Sequence, residues 1–461
     1  LSASLCTAAS VLLTIVIGLL GPSAVVPDLG GPSLGLAPGP HLVIGLAAAA
    51  IVLGGLGLLG GLAYGSRLPP RLLVVLGCTA AAVLAFLPPS GSADHLNYAA
   101  YGRMVALGVD PYTHGAADLP GDPIAGAVEE PWREEASVYG PVATAVQALA
   151  GWVGGGSLWL TVLVLALVNA AAFIATGLLL DRFTRDDPAR RLRAALLWTA
   201  NPLLLYQLVA GMHVDTLAIA CMVAALLARS RPAGSGLLLG LGVAVKLNAG
   251  IVALGPAWEL RRRPGRLVVM AGVALAVVVA GYALTGLAAL EPVSRTSKAI
   301  SHASYWKTFQ GMLQALVGEG SAYRGEIQVA SLLVLALLAW ALFRALPGRD
   351  ALAVAAVLSV AYVFATPYIL PWYDGLAFAM VAMAGASLVD RFLAGHLVIL
   401  SLAYLPARVE MQPTDLEWLR TVIRQQVAPW ALLALTLALA GWAWTTAARA
   451  RTRPQPAAPP R

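Results

Sequence analysis

The stretch Ser157–Arg193, SLWLTVLVLALVNAAAFIATGLLLDRFTRDDPARRLR, runs uncharged and almost wholly apolar through Leu180, then turns abruptly into Asp181, Arg182, Arg185, Arg190, Arg191 and Arg193. Crossing the hydrocarbon of a bilayer takes an apolar block of roughly 17 to 25 residues, and a short basic link beyond it marks the side on which positive charge is retained, the cytoplasm. The pattern recurs along the chain. With 59% hydrophobic residues, only 11% charged and a mean hydropathy of +0.78, the apolar content exceeds what a soluble core needs. A multi-spanning membrane protein is expected, and its formal charge of +7 belongs to the membrane flanks and does not argue for nucleic acid. Cys6, Cys78 and Cys221 sit inside apolar blocks, as packing residues rather than a disulfide, metal or redox set.

Taking the first block outward from the cytoplasm, the spans fall at 5–20, 41–64, 72–88, 157–180, 192–210, 213–229, 266–289, 326–346, 350–368, 372–389, 392–407 and 428–448. Twelve spans return both termini to the cytoplasm. The basic clusters then share one side: Arg67 and Arg71, Arg182 to Arg193, Arg229 and Arg231, Arg261 to Arg266, Arg344 and Arg349, Arg391, and the tail from Arg449. That side holds 20 basic and 6 acidic residues, the outer loops 9 basic and 17 acidic, and Lys246 is left over. The chain starts at Leu1 without Met, so some N-terminal sequence is expected to be missing. Leu5–Leu20 reads as a retained helix rather than a signal peptide, because removing it breaks the parity of the spans.

Lys246 lies in an apolar run, Ala233–Leu260, with Arg229 and Arg231 before it and three arginines after it. Both ends want the cytoplasm. One span cannot satisfy that, so two shorter helices must form a hairpin that turns at Lys246-Leu247-Asn248 on the outer side. An ionisable residue at such depth is a functional candidate, the alternative being a lysine that snorkels to the interface. Two long outer loops, 88–157 and 291–325, are of functional length. Amphipathic patterns at Ala93–Leu107 and Tyr139–Trp152 suit helices lying on the membrane surface. The expected fold is thus an all-α integral membrane bundle of about 12 spans plus a broken hairpin, 12–14 transmembrane helices in all, with interfacial helices in the first large outer loop. It forms one domain over 1–452, followed by a basic disordered tail at 453–461.

Chemistry-bearing residues gather on the outer side. In SADHLNYAAYGRMVALGVDPYTH, Ser92–His114, the residues Asp94, His95, Tyr98, Tyr101 and Arg103 fall within a few helical turns. A carboxylate there can serve as a general base while the aromatics and the arginine hold a polar substrate; a capping aspartate on an interfacial helix is the plainer alternative. Tyr139 is a further substrate-contact candidate. His213 and Asp215 sit two residues apart between two spans, where each is costly unless paired or wet. Two such ligands without a third make a poor metal site. His302 and Lys307 belong to a basic cluster suited to a lipid phosphate. Trp372 and Tyr373, in TPYILPWYD, Thr366–Asp374, can form a wall that stacks on a sugar or an interfacial belt. No nucleotide-phosphate loop, dinucleotide fingerprint, zinc motif or nucleophile elbow occurs in a credible setting, so a nucleotide-sugar donor, ATP coupling and a cofactor have no support.

In order along the chain stand YAAYGRMVALGVDPY (Tyr98–Tyr112), SVYGP (Ser137–Pro141), NPLLLYQLVAGMHVD (Asn201–Asp215), GLLLGLGVAVKLNAG (Gly236–Gly250) and PWYD (Pro371–Asp374). Together with Asp94 just after an early span, this order resembles the polyprenyl-phosphate-mannose-dependent mannosyltransferases of actinobacteria, in particular the α-1,6-mannosyltransferases that build lipomannan-type glycans, within the GT-C class of membrane glycosyltransferases. The resemblance implies a GT-C-like fold in the cell membrane with an extracytoplasmic active site. It implies Asp94 as the catalytic base, His213, Asp215 and Lys246 lining the cavity, and Pro371-Trp372-Tyr373 as a late aromatic motif. A polyprenyl-phosphate mannose donor and a mannan or glycolipid acceptor follow, with inversion at the anomeric carbon and no metal. Lys246, with Arg103 or with His302 and Lys307, is the implied stabiliser of the departing phosphate. Val214, where relatives often carry Asn, and Asp374, where an apolar residue is more usual, leave acceptor specificity open. Another polyprenyl-phosphate sugar, arabinofuranose or glucose, or a non-enzymatic transporter of a lipid-linked sugar, are the alternatives.

Overall fold

The computed structural model describes residues 2–66, 68–296 and 298–452. Arg67, Ser297 and the expected tail at 453–461 lie outside the described residues. Among the described residues the regular structure is helical, apart from one isolated bridge between Ser23 and Val26.

The chain opens with α1 (Ser2–Leu20), α2 (Pro40–Tyr64) and α3 (Pro70–Ala85). The first long loop contains α4 (Asp94–Ala106) and α5 (Pro141–Gly154) and leads into α6 (Leu158–Thr184). Then come α7 (Pro188–Leu197), the single turn α8 (Pro202–Leu204) continued by a π-helical stretch Leu205–Ala210, and α9 (Asp215–Leu227). The expected hairpin is α10 (Pro232–Val245), a 3-10 stretch Leu247–Ala253, and α11 (Leu254–Leu260). After α12 (Pro264–Thr285), the second long loop carries α13 (Leu290–Thr296) and α14 (Tyr305–Val317). The chain finishes with α15 (Arg324–Ala345), α16 (Ala351–Ala365), α17 (Asp374–Met383), α18 (Val389–Tyr404), a second π-helical stretch Leu419–Val427, and α19 (Ala428–Thr452).

Proline sits in the first turn of α2, α3, α5, α7, α8, α10 and α12, where its fixed φ suits the helix and its missing N–H leaves no bond unmade. Among the described residues six helical segments are long and apolar enough to cross a membrane. Shorter apolar helices lie among them, and α17 is buried along its whole length. A helix apolar on every side is one surrounded by protein, which also relieves it of having to match the bilayer thickness. By contrast α12 buries only 11% of its apolar window and faces lipid. The molecule is a multi-span membrane protein.

The hairpin is present and returns to its starting end. Lys246 takes an extended conformation (φ −151°, ψ 117°) that stops α10. The chain then comes back far enough for Glu259 to approach Arg229 at 3.6 Å. Arg266 closes the same end by donating to the Ser230 carbonyl at 3.2 Å. One end rich in arginine and a tip carrying one lysine match the hairpin expected from the flanking charges.

Three stretches differ from the expected outline. The span read at 192–210 breaks between Leu197 and Pro202, because the Asn201 side chain accepts from the N–H groups of Leu203 and Leu204 and starts a new turn. Helix ends at Met383 within the span read at 372–389. The second loop, in which no helix was placed from the sequence, docks through α14, where the Tyr305 hydroxyl donates to the Phe364 carbonyl at 2.8 Å and the Trp306 indole N–H to the Ala365 carbonyl at 2.7 Å. The two helices expected in the first loop fall at the expected places, and most of α4 is buried. They cross closely, since a Cβ on Gly102 would fall on the Gln147 carbonyl and one on Gly151 on the Gly102 carbonyl.

Candidate active site

Four separate segments meet opposite the arginine-rich end. The Ser92 hydroxyl accepts from the Asp94 N–H at 3.1 Å and turns the chain into α4, leaving the Asp94 carboxylate partly open. Its Oδ2 lies 3.4 Å from Nδ1 of His213, within ion-pair reach but longer than an ordinary hydrogen bond. The His213 imidazole is fully buried and lies flat on Trp372, with ring centroids 3.5 Å apart and an interplanar angle of 13°. Two local features place it. The π-helical stretch ends just before it, and Met212 adopts φ +53°, which lets the His213 N–H donate to the Leu208 carbonyl at 3.2 Å.

Asp215 takes a different partner. Both of its oxygens accept from the Lys246 ammonium at 2.7 Å, and the same nitrogen stands 4.2 Å above the Tyr373 ring. Lys246 is therefore held by a carboxylate and an aromatic face, not snorkelling alone. His213 and Asp215, two residues apart, serve two separate clusters, whose aromatic floors are the neighbours Trp372 and Tyr373. Around them Tyr139 donates to the Tyr98 hydroxyl at 3.3 Å with the rings edge to face, and Tyr404 meets Trp372 edge to face at 5.1 Å. The Gly140 N–H donates to the Val245 carbonyl at 3.0 Å and ties the start of α5 to the hairpin tip.

Burial pushes the Asp94 carboxyl up, yet its neighbours His213, Lys246 and His95 outweigh that and hold it below the usual carboxylate range. Its ionised form is thereby favoured at neutral pH. Burial, reinforced by Arg408, drives the His95 imidazole down to about 3 against the opposing pull of Asp94. His95 is fully buried and neither ring nitrogen has a hydrogen-bond partner.

Other sequence candidates lie elsewhere. Arg103, expected near a phosphate, donates instead to the Asp122 carboxylate at 2.8 Å and the Gly155 carbonyl at 3.1 Å, so its charge is absorbed by the first loop. The Tyr101 hydroxyl donates to the Glu135 carbonyl at 3.0 Å. His302 and Lys307 are exposed on the rim, and Lys307 reaches Gln310 at 2.8 Å. Burial, then the charges of Lys307, Arg424 and Arg420, hold the His302 imidazole below its ordinary range. Arg420 and Arg424 thus join that basic group from the second π-helical stretch, and their four-residue spacing was the only sequence signal for it. Tyr404 offered no signal at all. Among the described residues no group of three His, Cys, Asp or Glu converges as a metal site would need.

Comparison with known proteins gives this geometry a family. Residues 7–262, more than half of the chain, match the profile described as alpha-(1→6)-mannopyranosyltransferase, N-terminal domain, and that range contains Asp94, His213, Asp215 and Lys246. Alpha-(1→6)-mannopyranosyltransferase A of Corynebacterium glutamicum is 25% identical over 358 residues, covering 70% of this chain and 73% of that protein. Its namesake B from the same organism is 26% identical over 202 residues, 43% of this chain and 31% of that protein. A probable alpha-(1→6)-mannopyranosyltransferase of Mycolicibacterium smegmatis is 31% identical over 150 residues, 31% of this chain and 26% of its own length. The chain belongs to the alpha-(1→6)-mannopyranosyltransferase family and is a glycosyltransferase embedded in a membrane.

Proposed function

We propose that the protein transfers mannose from polyprenyl-phosphate mannose to a glycan or glycolipid acceptor on the extracytoplasmic face, forming α-1,6 linkages with inversion. The observation that carries this reading is the ionised Asp94 carboxylate beside His213, Trp372 and the Lys246 cluster. In the proposed step the acceptor hydroxyl gives its proton to Asp94 as its oxygen attacks the anomeric carbon from the face opposite the phosphate. The bond from that carbon to the phosphate oxygen breaks and its electron pair leaves with the phosphate. A β-linked donor then yields an α-mannoside. Lys246, already desolvated and with one ammonium hydrogen beyond the two that Asp215 takes, lowers the cost of charge on the leaving group. Lys307 and Arg424, with Arg420 paired to Glu417 at 2.6 Å, surround the His302 imidazole, which burial and these charges keep neutral, and this basic group favours a lipid phosphate at the interface. Tyr139 and Tyr373, the partly exposed rings of the cluster, can flank a sugar ring. The charge asymmetry, 20 basic and 6 acidic residues on one side against 9 and 17 on the other, supports cytoplasmic termini and a site on the far side.

Replacing Asp94 with Asn keeps the shape and removes the base. Transfer of labelled mannose by the purified variant is expected to fall about 10²–10⁴-fold. Retention of near wild-type turnover overturns the assignment, and parallel assays with labelled arabinofuranose and glucose donors decide the sugar.

A further inference from the structure

Asp374 and His396 form a buried carboxylate–imidazole pair that the proposed reaction does not use. Nδ1 of His396 lies 2.8 and 3.0 Å from the two Asp374 oxygens, and their side chains are 3% and 0% exposed. Burying such a pair between membrane helices is costly, and it is weak evidence for stability by itself. Its position is informative. Asp374 opens α17 immediately after the 3-10 turn Pro371–Tyr373, so wherever its carboxylate is tied, the two aromatic residues before it are aimed. His396 lies on α18, two turns before Tyr404, whose ring meets Trp372 edge to face at 5.1 Å. One helix therefore grips the aromatic turn twice, through Asp374 and through Trp372. The His396 ring also packs on Phe364 at 4.4 Å, which steadies it from α16. From the turn, Trp372 stacks on His213, which faces Asp94, and Tyr373 carries Lys246.

We propose that Asp374 and His396 are positioning residues: their pair sets the orientation of Trp372 and Tyr373, and through these rings the placement of His213 against Asp94 and of Lys246. The inference rests on the reading of Asp94 and Lys246 given above. A pair acting only as a structural pin has a ready comparison at the other end of α17. There Arg193 donates to the Val381 and Ala384 carbonyls at 3.0 and 2.9 Å and to Asp390 at 2.6 and 2.7 Å, far from the aromatic turn.

The test compares Asp374→Leu/His396→Leu, which removes both polar groups together, with Asp390→Asn. Melting in detergent is measured alongside kcat and KM, using labelled donor of whichever sugar the wild type transfers. The double leucine variant is expected to melt close to wild type, to lose about tenfold or more in kcat, and to keep its donor KM within about threefold. Asp390→Asn is expected to melt earlier with kcat within about threefold of wild type. A double leucine variant that turns over at the wild-type rate, or an Asp390→Asn variant that loses as much kcat, overturns the proposal. If the double variant does not fold, Asp374→Asn is introduced alone and on a Trp372→Leu background. A loss in kcat of about tenfold alone that shrinks below about twofold on that background supports positioning, and equal losses refute it. The readout is a ratio to wild type, so a wild type that transfers another sugar, or an active Asp94→Asn variant, refutes the function without deciding the pair.

Discussion

Lys246→Met is the perturbation that separates a catalytic cation from a mere partner for a buried carboxylate. Lys246 and Asp215 are 14% and 8% exposed in their side chains, with two contacts at 2.7 Å. Removing the ammonium alone leaves Asp215 buried and unpaired, a defect worth about 3–5 kcal/mol. The lost contact with the Tyr373 face adds about 1 kcal/mol. A stability loss of that size is expected whatever Lys246 does, so it decides nothing about catalysis. The informative variant is Lys246→Met/Asp215→Asn, in which no charge is left stranded and melting should recover most of the way to wild type. If Lys246 stabilises charge on the departing phosphate, turnover stays depressed by about 10²–10³-fold, or roughly 3–4 kcal/mol of transition-state stabilisation, after stability has recovered. Single-turnover transfer of labelled donor by purified enzyme, with melting recorded on the same preparation, is the assay. Recovery of turnover together with melting refutes the reasoning and reduces Lys246 to the counter-ion of Asp215.

Further outcomes follow from particular contacts. In His213→Gln, Asp94 loses a neighbour that lowers its pKa, so its basic form is lost at a higher pH and the acidic limb of the kcat/KM profile should move upward; an unmoved limb contradicts the coupling. Burial pushes the His95 imidazole down to about 3 from an ordinary 6.5, so its stability contribution is complete above pH 6.5 and erodes as pH falls from there towards 3. His95→Leu should flatten melting against pH over that window. Arg408, buried against Glu129 and donating to the Ser23 carbonyl at 2.8 Å, joins three separate segments, so Arg408→Met should cost about 3–5 kcal/mol in thermal or denaturant unfolding. Arg103→Ala should lower stability through the lost Asp122 contact while leaving kcat within about threefold; a large fall in kcat returns Arg103 to the phosphate.

Which parts of this arrangement could be read from the chain depends on what each residue's environment costs. The spans and the hairpin were legible because arginine at Arg229, Arg231 and Arg261 to Arg263 makes its side of the bilayer visible without any contact being known. His213, Asp215 and Lys246 were legible as candidates for a similar reason, since an unpaired polar group in or beside an apolar run is expensive, whereas Asp94 stood out by its clustering with His95, Tyr98, Tyr101 and Arg103 and by the family resemblance. The same cost says that a partner exists and does not say which one. Nothing in the His-Val-Asp spacing assigns the imidazole to Asp94 and the carboxylate to Lys246. That division depends on the π-helical stretch Leu205–Ala210 and the left-handed Met212, neither of which has a hydrophobic period of its own. Arg103 misleads for the converse reason: its partner Asp122 lies in an irregular loop, where periodicity carries no information about reach.

The aromatic turn shows where this ambiguity resolves. Trp372 and Tyr373 are consecutive, their rings lie at 76° to one another with centroids 6.4 Å apart, and one supports the His213 imidazole while the other supports the Lys246 ammonium. Consecutive side chains in a single 3-10 turn must diverge, so one short segment can serve two clusters only if those clusters stand side by side. His213 and Asp215 meet the same requirement from the other side, one reaching Trp372 and the other the cation above Tyr373. A rotation of the turn therefore disturbs both the Asp94–His213 and the Asp215–Lys246 clusters together. Variants that tilt the turn should lose transition-state stabilisation as a unit, with losses that do not add to those of Asp94 or Lys246 variants.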